Sequence, residues 1–99
     1  MSTLAPEAKV ALATAVRVAQ GSLVVELTDG RTISVPLNWY PRLLHAKPFE
    51  LAEWRLMGGG SGIHWPSLEE DLSVEGLFAG HCSQEQAASL SRWLAKREN

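Results

Sequence analysis

The chain has 99 residues, 45% hydrophobic and 20% charged, with nine basic against eleven acidic side chains and a formal net charge of −2. That is one domain's worth of chain with a modest core. It excludes a disordered polyelectrolyte, a collagen-like repeat and a polycation built to coat nucleic acid, while leaving room for a local basic patch. A single cysteine, Cys82, allows no internal disulfide and points to a reducing compartment, the cytoplasm. No apolar run approaches the ~20 residues that span a bilayer, and MSTLAPEAKV lacks a basic region followed by an apolar core. Neither a membrane segment nor a signal peptide is therefore expected.

Residues 1–9, small and polar around Pro6, read as a loose leader, with 1–13 partly ordered. From Val10 two patterns compete. EAKVALATAV has helix propensity, but Val10, Leu12, Val16 and Val18 alternate as in a strand. A strand is expected over 14–19, and 7–12 stays open. The apolar sets Leu23, Val25, Leu27 and then Ile33, Val35 follow, separated by the turn signal Asp29-Gly30. A two-residue loop would set Val25 against Ser34. A three-residue loop, Thr28-Asp29-Gly30, sets Val25 against Ile33 and Leu23 against Val35, which keeps one face apolar. A type I turn with Gly30 at positive φ is expected. An even loop at Gln20-Gly21 pairs Val18 with Leu23 and Val16 with Val25, completing an antiparallel meander.

Pro36 ends the third strand. Asn38 reads as the N-cap of a short helix over 39–46, with Pro41 in its first turn. Pro48 closes that helix and starts another turn over 49–53. Trp54 to Met57 alternates again, and after GGGSG the segment Ile63-His64-Trp65 returns. Leu56 opposite Ile63 also sets Trp54 opposite Trp65. Ser67 with Glu70 fits a capping box, and Ser73 caps a second turn bearing Val74, Leu77 and Phe78 that Gly80 stops. Ser83 with Gln86 opens a last helix over 83–97, with Leu90, Trp93 and Leu94 on one stripe and Lys96 and Arg97 at the end that favours cations. The fold class is α+β: an antiparallel β-meander of about five strands with short helices and a C-terminal helix.

Few constellations carry chemistry. GGGSG has no lysine for a phosphate loop and lacks the strand-to-helix setting of a dinucleotide fingerprint. It reads as a hairpin loop needing positive φ, or as a flap that contacts a partner. His45, His64, His81 and Cys82 show no metal-ligand spacing, so no metal or cofactor site is expected. Cys82 beside His81 does not make a thiol–imidazole pair, because adjacent extended side chains diverge. Glu69, Glu70, Asp71 and Glu75 form an acidic cluster, readable as helix first turns welcomed by the dipole, or as a surface for a basic partner. Trp54 and Trp65 are expected in the core, and Trp93 partly exposed or at a dimer contact. Arg92, Lys96 and Arg97 make a small basic helix end, read as solvated or touching nucleic acid.

LVVELTDGRTISVPLNWYPRLLHA and WRLMGGGSGIHWPSLEEDLSVEGLFAG together resemble the bacterial domain of unknown function 2442 family. Asp29-Gly30-Arg31, Val35-Pro36-Leu37 and Gly62-Ile63-His64-Trp65-Pro66 before the acidic run carry the likeness, over about residues 14–80. The resemblance implies a small α+β domain. Some relatives add a helix-turn-helix domain, and the single helix here implies that this part is missing. Members are often encoded beside a domain of unknown function 4160 protein, in pairs regarded as toxin and antitoxin, with this domain the antitoxin. The family offers no catalytic residues to carry over. Gly30, Pro36, Trp65 and Asp71 have structural explanations: a turn, a strand end, a core anchor and a cap.

The function expected is a non-enzymatic, cytoplasmic protein-binding module of antitoxin type that masks a partner by occlusion. His64, Glu69, Glu70, Asp71, Glu75 and Trp93 are its candidate contacts, with the Gly58–Gly62 loop beside them. The partner would be a basic protein, which the resemblance implies to be of the domain of unknown function 4160 type, and a homodimer stays compatible with the sequence. The rivals are a DNA-linked regulator acting as a dimer or with its partner, and an inhibitor of a host complex of the phage type. Overall acidity counts against nucleic-acid binding by the chain alone, and strong salt dependence of DNA binding would support it. An enzyme would need a convergent pocket of perturbed groups, for which no motif is visible.

Overall fold

The computed structural model describes residues 11–97, so the expected leader over 1–9 lies outside the described residues. Among these residues six strands form two antiparallel sheets. The first holds β1 (Ala13–Ala19), β2 (Ser22–Leu27) and β3 (Thr32–Pro36), and the second β4 (Arg55–Met57), β5 (Gly62–Trp65) and β6 (Glu70–Ser73). The helices are α1 (Pro41–Leu44), α2 (Pro48–Ala52), α3 (Val74–Ala79) and α4 (Ala87–Arg97), with short 3-10 turns at Leu37–Trp39 and Gly58–Gly60.

The first sheet has the register that its apolar alternation requires: Val16↔Val25, Val18↔Leu23, Val25↔Ile33 and Leu23↔Val35. Gln20 and Gly21 both take positive φ, 53° and 78°, the twist that a two-residue hairpin needs. Gly30 sits at φ 89°. Its N–H reaches Leu27 O at 3.1 Å, and Leu27 N–H reaches Arg31 O at 2.9 Å, which closes the three-residue loop. The Asp29 carboxylate accepts from the Arg31 N–H at 3.0 Å and is thereby held below its ordinary pKa.

β1 carries a bulge that simple alternation misses. Ala13 faces Leu27, but Ala15 faces Glu26, so one residue is inserted and the phase flips. Val16 is buried after the bulge, whereas Ala11 and Ala13 are buried before it, and Leu12 leaves the core face. The second hairpin's loop packs on this bulge. Gly60 has φ 116° and is buried, and a Cβ there would lie 2.5 Å from Ala13 O and 3.0 Å from Leu12 Cβ. GGGSG is therefore a packed joint between the sheets, not a free flap.

The core lies where the two sheets and the short helices meet. Trp65, Leu23, Leu43, Ile63, Leu68, Val25 and Val74 are fully buried, each contributing on the order of 1.5–3 kcal/mol from the apolar area removed from water. The Trp65 indole N–H donates to Leu51 O at 3.1 Å, so the largest core side chain also satisfies its one polar atom. Trp54 is half-buried at the core's margin.

The α+β class holds, with six strands against about five expected. The extra strand is β6. Ser67 and Glu70 do not form a capping box. The Ser67 hydroxyl donates to Glu53 Oε1 at 2.9 Å, Glu69 turns at φ 52°, and Glu70 pairs opposite Trp65. Pairing β5 on its second edge and laying Leu72 over Ile63 outweighs a local helix start. Glu69, Glu70 and Asp71 thus stand at a strand and not in a helix first turn, and Asp71 is a cross-strand partner and not a cap. Asn38 lies inside a 3-10 turn, and α1 starts at Pro41 with Tyr40 before it. The β4 ladder begins at Arg55↔His64, so Trp54 stops short of pairing with Trp65. Ser83 caps no helix. Its backbone N–H bonds Trp39 O at 2.9 Å, its hydroxyl accepts from Glu85 N–H at 3.1 Å, and α4 starts four residues later. Ser73 does cap α3, accepting from Gly76 N–H at 2.9 Å, and Gly80 ends it in the left-handed region.

Candidate functional site

The acidic run forms the outer edge of the second sheet. β5 is central and β6 terminal. The Val74 N–H donates to Ser61 O at 2.9 Å in line with the β5–β6 register. Antiparallel alternation then commits Leu72 and Glu70 to bonds with β5, and turns the N–H and C=O of Asp71 and the N–H of Ser73 outward. Among the described residues no further strand covers that edge.

The two faces of β6 differ. Asp71 stands opposite His64, and its Oδ1 meets His64 Nδ1 in a hydrogen bond. Glu70 and Leu72 stand opposite Trp65 and Ile63, on the core side, and help line a cavity of about 250 Å³. Tyr40, Leu77, His81 and Cys82 line it as well. Burial pushes the Glu70 carboxyl above its ordinary pKa, and the Arg42 charge pulls it back. Burial also raises the Tyr40 phenol, whose hydroxyl donates to His81 O at 2.7 Å.

Arg42 organises the ground beside the strand. It donates to Glu85 through Nε at 2.9 Å and Nη2 at 2.7 Å, and to Leu68 O through Nη1 at 3.0 Å. Its guanidinium lies 5.1 Å from the Trp93 ring centroid, and Glu69 is 3.7 Å away. The bonds from Arg42 hold Glu85 below the ordinary carboxylate range. Arg97 stacks on Trp93 at 4.5 Å and donates to Glu50 at 2.9 and 2.5 Å. Glu50 is the buried carboxylate of the core's edge, and the Arg97 bonds bring it down to about 2.

Of the residues singled out from sequence, His64, Glu69, Glu70 and Asp71 come together on β5, β6 and the turn between them. Glu75 is exposed in the first turn of α3, beyond the end of β6. Trp93 is partly buried between two arginines, and reaches the acidic edge only through Arg42. Arg92 and Lys96 are exposed, while Arg97 is drawn inward by Glu50. Arg42, Glu85 and Glu50 escaped sequence reasoning, because the charged pair each makes joins positions more than 40 apart. The described residues include no group of three or more His, Cys, Asp and Glu able to hold a metal ion. None of their helices is long and apolar enough to cross a membrane.

The chain belongs to the family described as "Protein of unknown function (DUF2442)", whose sequence model matches residues 13–81. Among curated proteins none matches significantly. Two solved structures share the fold. A protein of unknown function from Rhodospirillum rubrum has 29% identity and a TM-score of 0.68, covering 78% of this chain and 95% of its own. An uncharacterised protein from Chromobacterium violaceum has 24% identity and a TM-score of 0.64, covering 82% of this chain and 74% of its own.

Proposed function

We propose that this protein is a non-enzymatic binding module that masks a basic partner protein through the β6 edge. The antitoxin role, with a domain of unknown function 4160 protein as the toxin, is the form this reading takes within the family resemblance. One observation supports it above others. Three consecutive carboxylates, Glu69, Glu70 and Asp71, stand at a sheet edge whose neighbouring cation, Arg42, is already spent in a bidentate pair with Glu85. Arg42 and His64 meet only part of their negative charge, and the rest faces a partner's cations. Charge complementarity of this kind steers encounter and fixes orientation more than it adds raw affinity. The mechanism is occlusion, with no bond made or broken. The single thiol, Cys82, is free and exposed, which suits a reducing cytoplasm.

The test is a tagged pull-down from the native host at moderate salt, with mass spectrometry and the light-scattering mass of the eluate. The expected result is a stoichiometric, small basic protein, lost when Glu69, Glu70 and Asp71 are changed together to lysine. Circular dichroism of that variant checks that the fold survives. A lone monomer or homodimer with no protein attached overturns the masking role. A partner held equally well by the reversed-charge variant removes the β6 edge from it.

A further inference from the structure

We infer that the β6 edge receives an extended, lysine- or arginine-bearing segment of the partner as an added fourth strand, with one cationic side chain seated in the cavity against Glu70. The inference deepens the masking role and rests on it. It begins from the backbone. The outward N–H and C=O of Asp71 and the outward N–H of Ser73 form a short pairing template at the end of the order β4-β5-β6, and among the described residues no strand meets them. Edges of this kind are managed liabilities or docking sites, and strand addition draws its affinity from main-chain bonds and its specificity from pockets for alternate side chains.

Such a pocket is present. The cavity of about 250 Å³ runs along β6, lined by Glu70, Asp71, Leu72 and Ser73 of the strand, with Tyr40 and Leu77 beside them. Its mostly polar lining suits a hydrated cationic side chain, and Tyr40 and Leu77 give the aliphatic stem a limited apolar contact. Glu70, half-buried and without a hydrogen bond from any described residue, suits the cationic head. A strand's side chains alternate, so a basic-x-basic pattern puts successive cations on one face. The face with Asp71 is already answered by His64, which leaves the Glu70 face as the selective one.

The experiment uses the full chain with a blocked heptapeptide of alternating valine and lysine, VKVKVKV. Controls are the same peptide with glutamate for lysine, and a copy methylated at every backbone nitrogen. Titration calorimetry and amide spectra are recorded at low salt. The expected result is saturable binding of the lysine peptide, with slowed exchange of the Asp71 and Ser73 amides. Affinity should fall about tenfold or more for the methylated copy and several-fold for Glu70→Gln, on the scale of one to two hydrogen bonds. Equal affinity for the methylated copy, or unprotected Asp71 and Ser73 amides, overturns strand addition while leaving an acidic masking surface standing. Failure of the lysine peptide, when the native partner is still captured, overturns it in the same way. Failure of both peptide and native capture overturns the masking role together with it.

Discussion

Gly60 shows how much one missing side chain can hold in place. Two separate costs attach to any substitution there: φ of 116°, outside the range of L side chains, and backbone oxygen 2.5 Å from the new Cβ. Gly59 isolates the first cost, since it has φ 70° and nothing within 4 Å of a Cβ. Gly59→Ala should lose about 1 kcal/mol, the ordinary penalty of the left-handed region. Gly60→Ala should lose at least twice that, because Ala13 must move and the joint between the sheets opens. Urea unfolding of the two variants side by side checks this, and equal losses would mean that the loop relaxes without disturbing β1. Tyr40 makes a milder case. Its hydroxyl donates to His81 O at the cavity wall, so Tyr40→Phe leaves that carbonyl short of a donor at a cost of about 1 kcal/mol.

At the scale of elements, α4 is an unusual helix to find ordered. None of its residues is fully buried. The helix and the segment just before it are attached by ionic and aromatic contacts: Glu50 to Arg97, Glu85 to Arg42, and Trp93 between the two guanidinium groups. Such contacts depend on pH in a direction that the shifts fix. Glu50 is depressed in the folded chain to about 2 from an ordinary 4.5, and Glu85 is depressed as well. A depressed acid contributes stability above its unfolded pKa and loses it as pH falls through the folded value. The docking of α4 should therefore hold at neutral pH and weaken from about pH 4.5 down towards 2, ahead of the sheets. Amide and indole spectra through an acid titration test this, with Trp93 moving before Trp65. Glu50→Gln should release the same helix at pH 7 at a cost of about 2 kcal/mol, typical of hydrogen bonds to charged groups. Simultaneous loss of helix and sheets in acid would show that α4 is integral to the core.

The same contrast explains what sequence could tell. The registers of the first sheet and of Leu56↔Ile63 were legible because a one-residue slip would turn every apolar side chain to water, and the loop lengths admit few pairings. β6 was not legible. SLEE satisfies the local pattern of a helix start, and only the unpaired edge of β5, a tertiary demand, overrides it. The bulge between Ala13 and Ala15 was hidden because alanine and threonine give almost no contrast between a buried and an exposed phase. Part of the candidate site fared better: His64 stood out by its strand phase against Ile63 and Trp65, whereas Asp71 was visible only as one of the acidic run. That they would face each other needed β6, and that Arg42 would bind Glu85 needed the path of the chain across 43 positions.

For the whole molecule these observations divide the chain into a body and an attachment. The family model ends at residue 81, and the fully buried side chains all precede it. A chain ending at Gln84 keeps the Ser83 bond to Trp39 O and loses Glu85, Trp93 and Arg97. It should keep both sheets and unfold in one transition, less stable by about 3 kcal/mol, the sum expected for two half-buried charged pairs and an aromatic stack. In a domain of this size that corresponds to a fall in Tm of roughly 10–20 °C. The charge consequence is more specific. Without Glu85, Arg42 keeps its place by Glu69 and Glu70 with no other carboxylate to hold it, and neutralises part of the acidic edge. The shortened chain should then bind the lysine peptide several-fold more weakly than the full chain, and the additional change Arg42→Gln should restore much of that loss. Thermal unfolding with peptide titration of the three proteins checks both arms. A shortened chain that folds and binds undiminished would mean that α4 acts on stability alone, with no hold on the charge of β6.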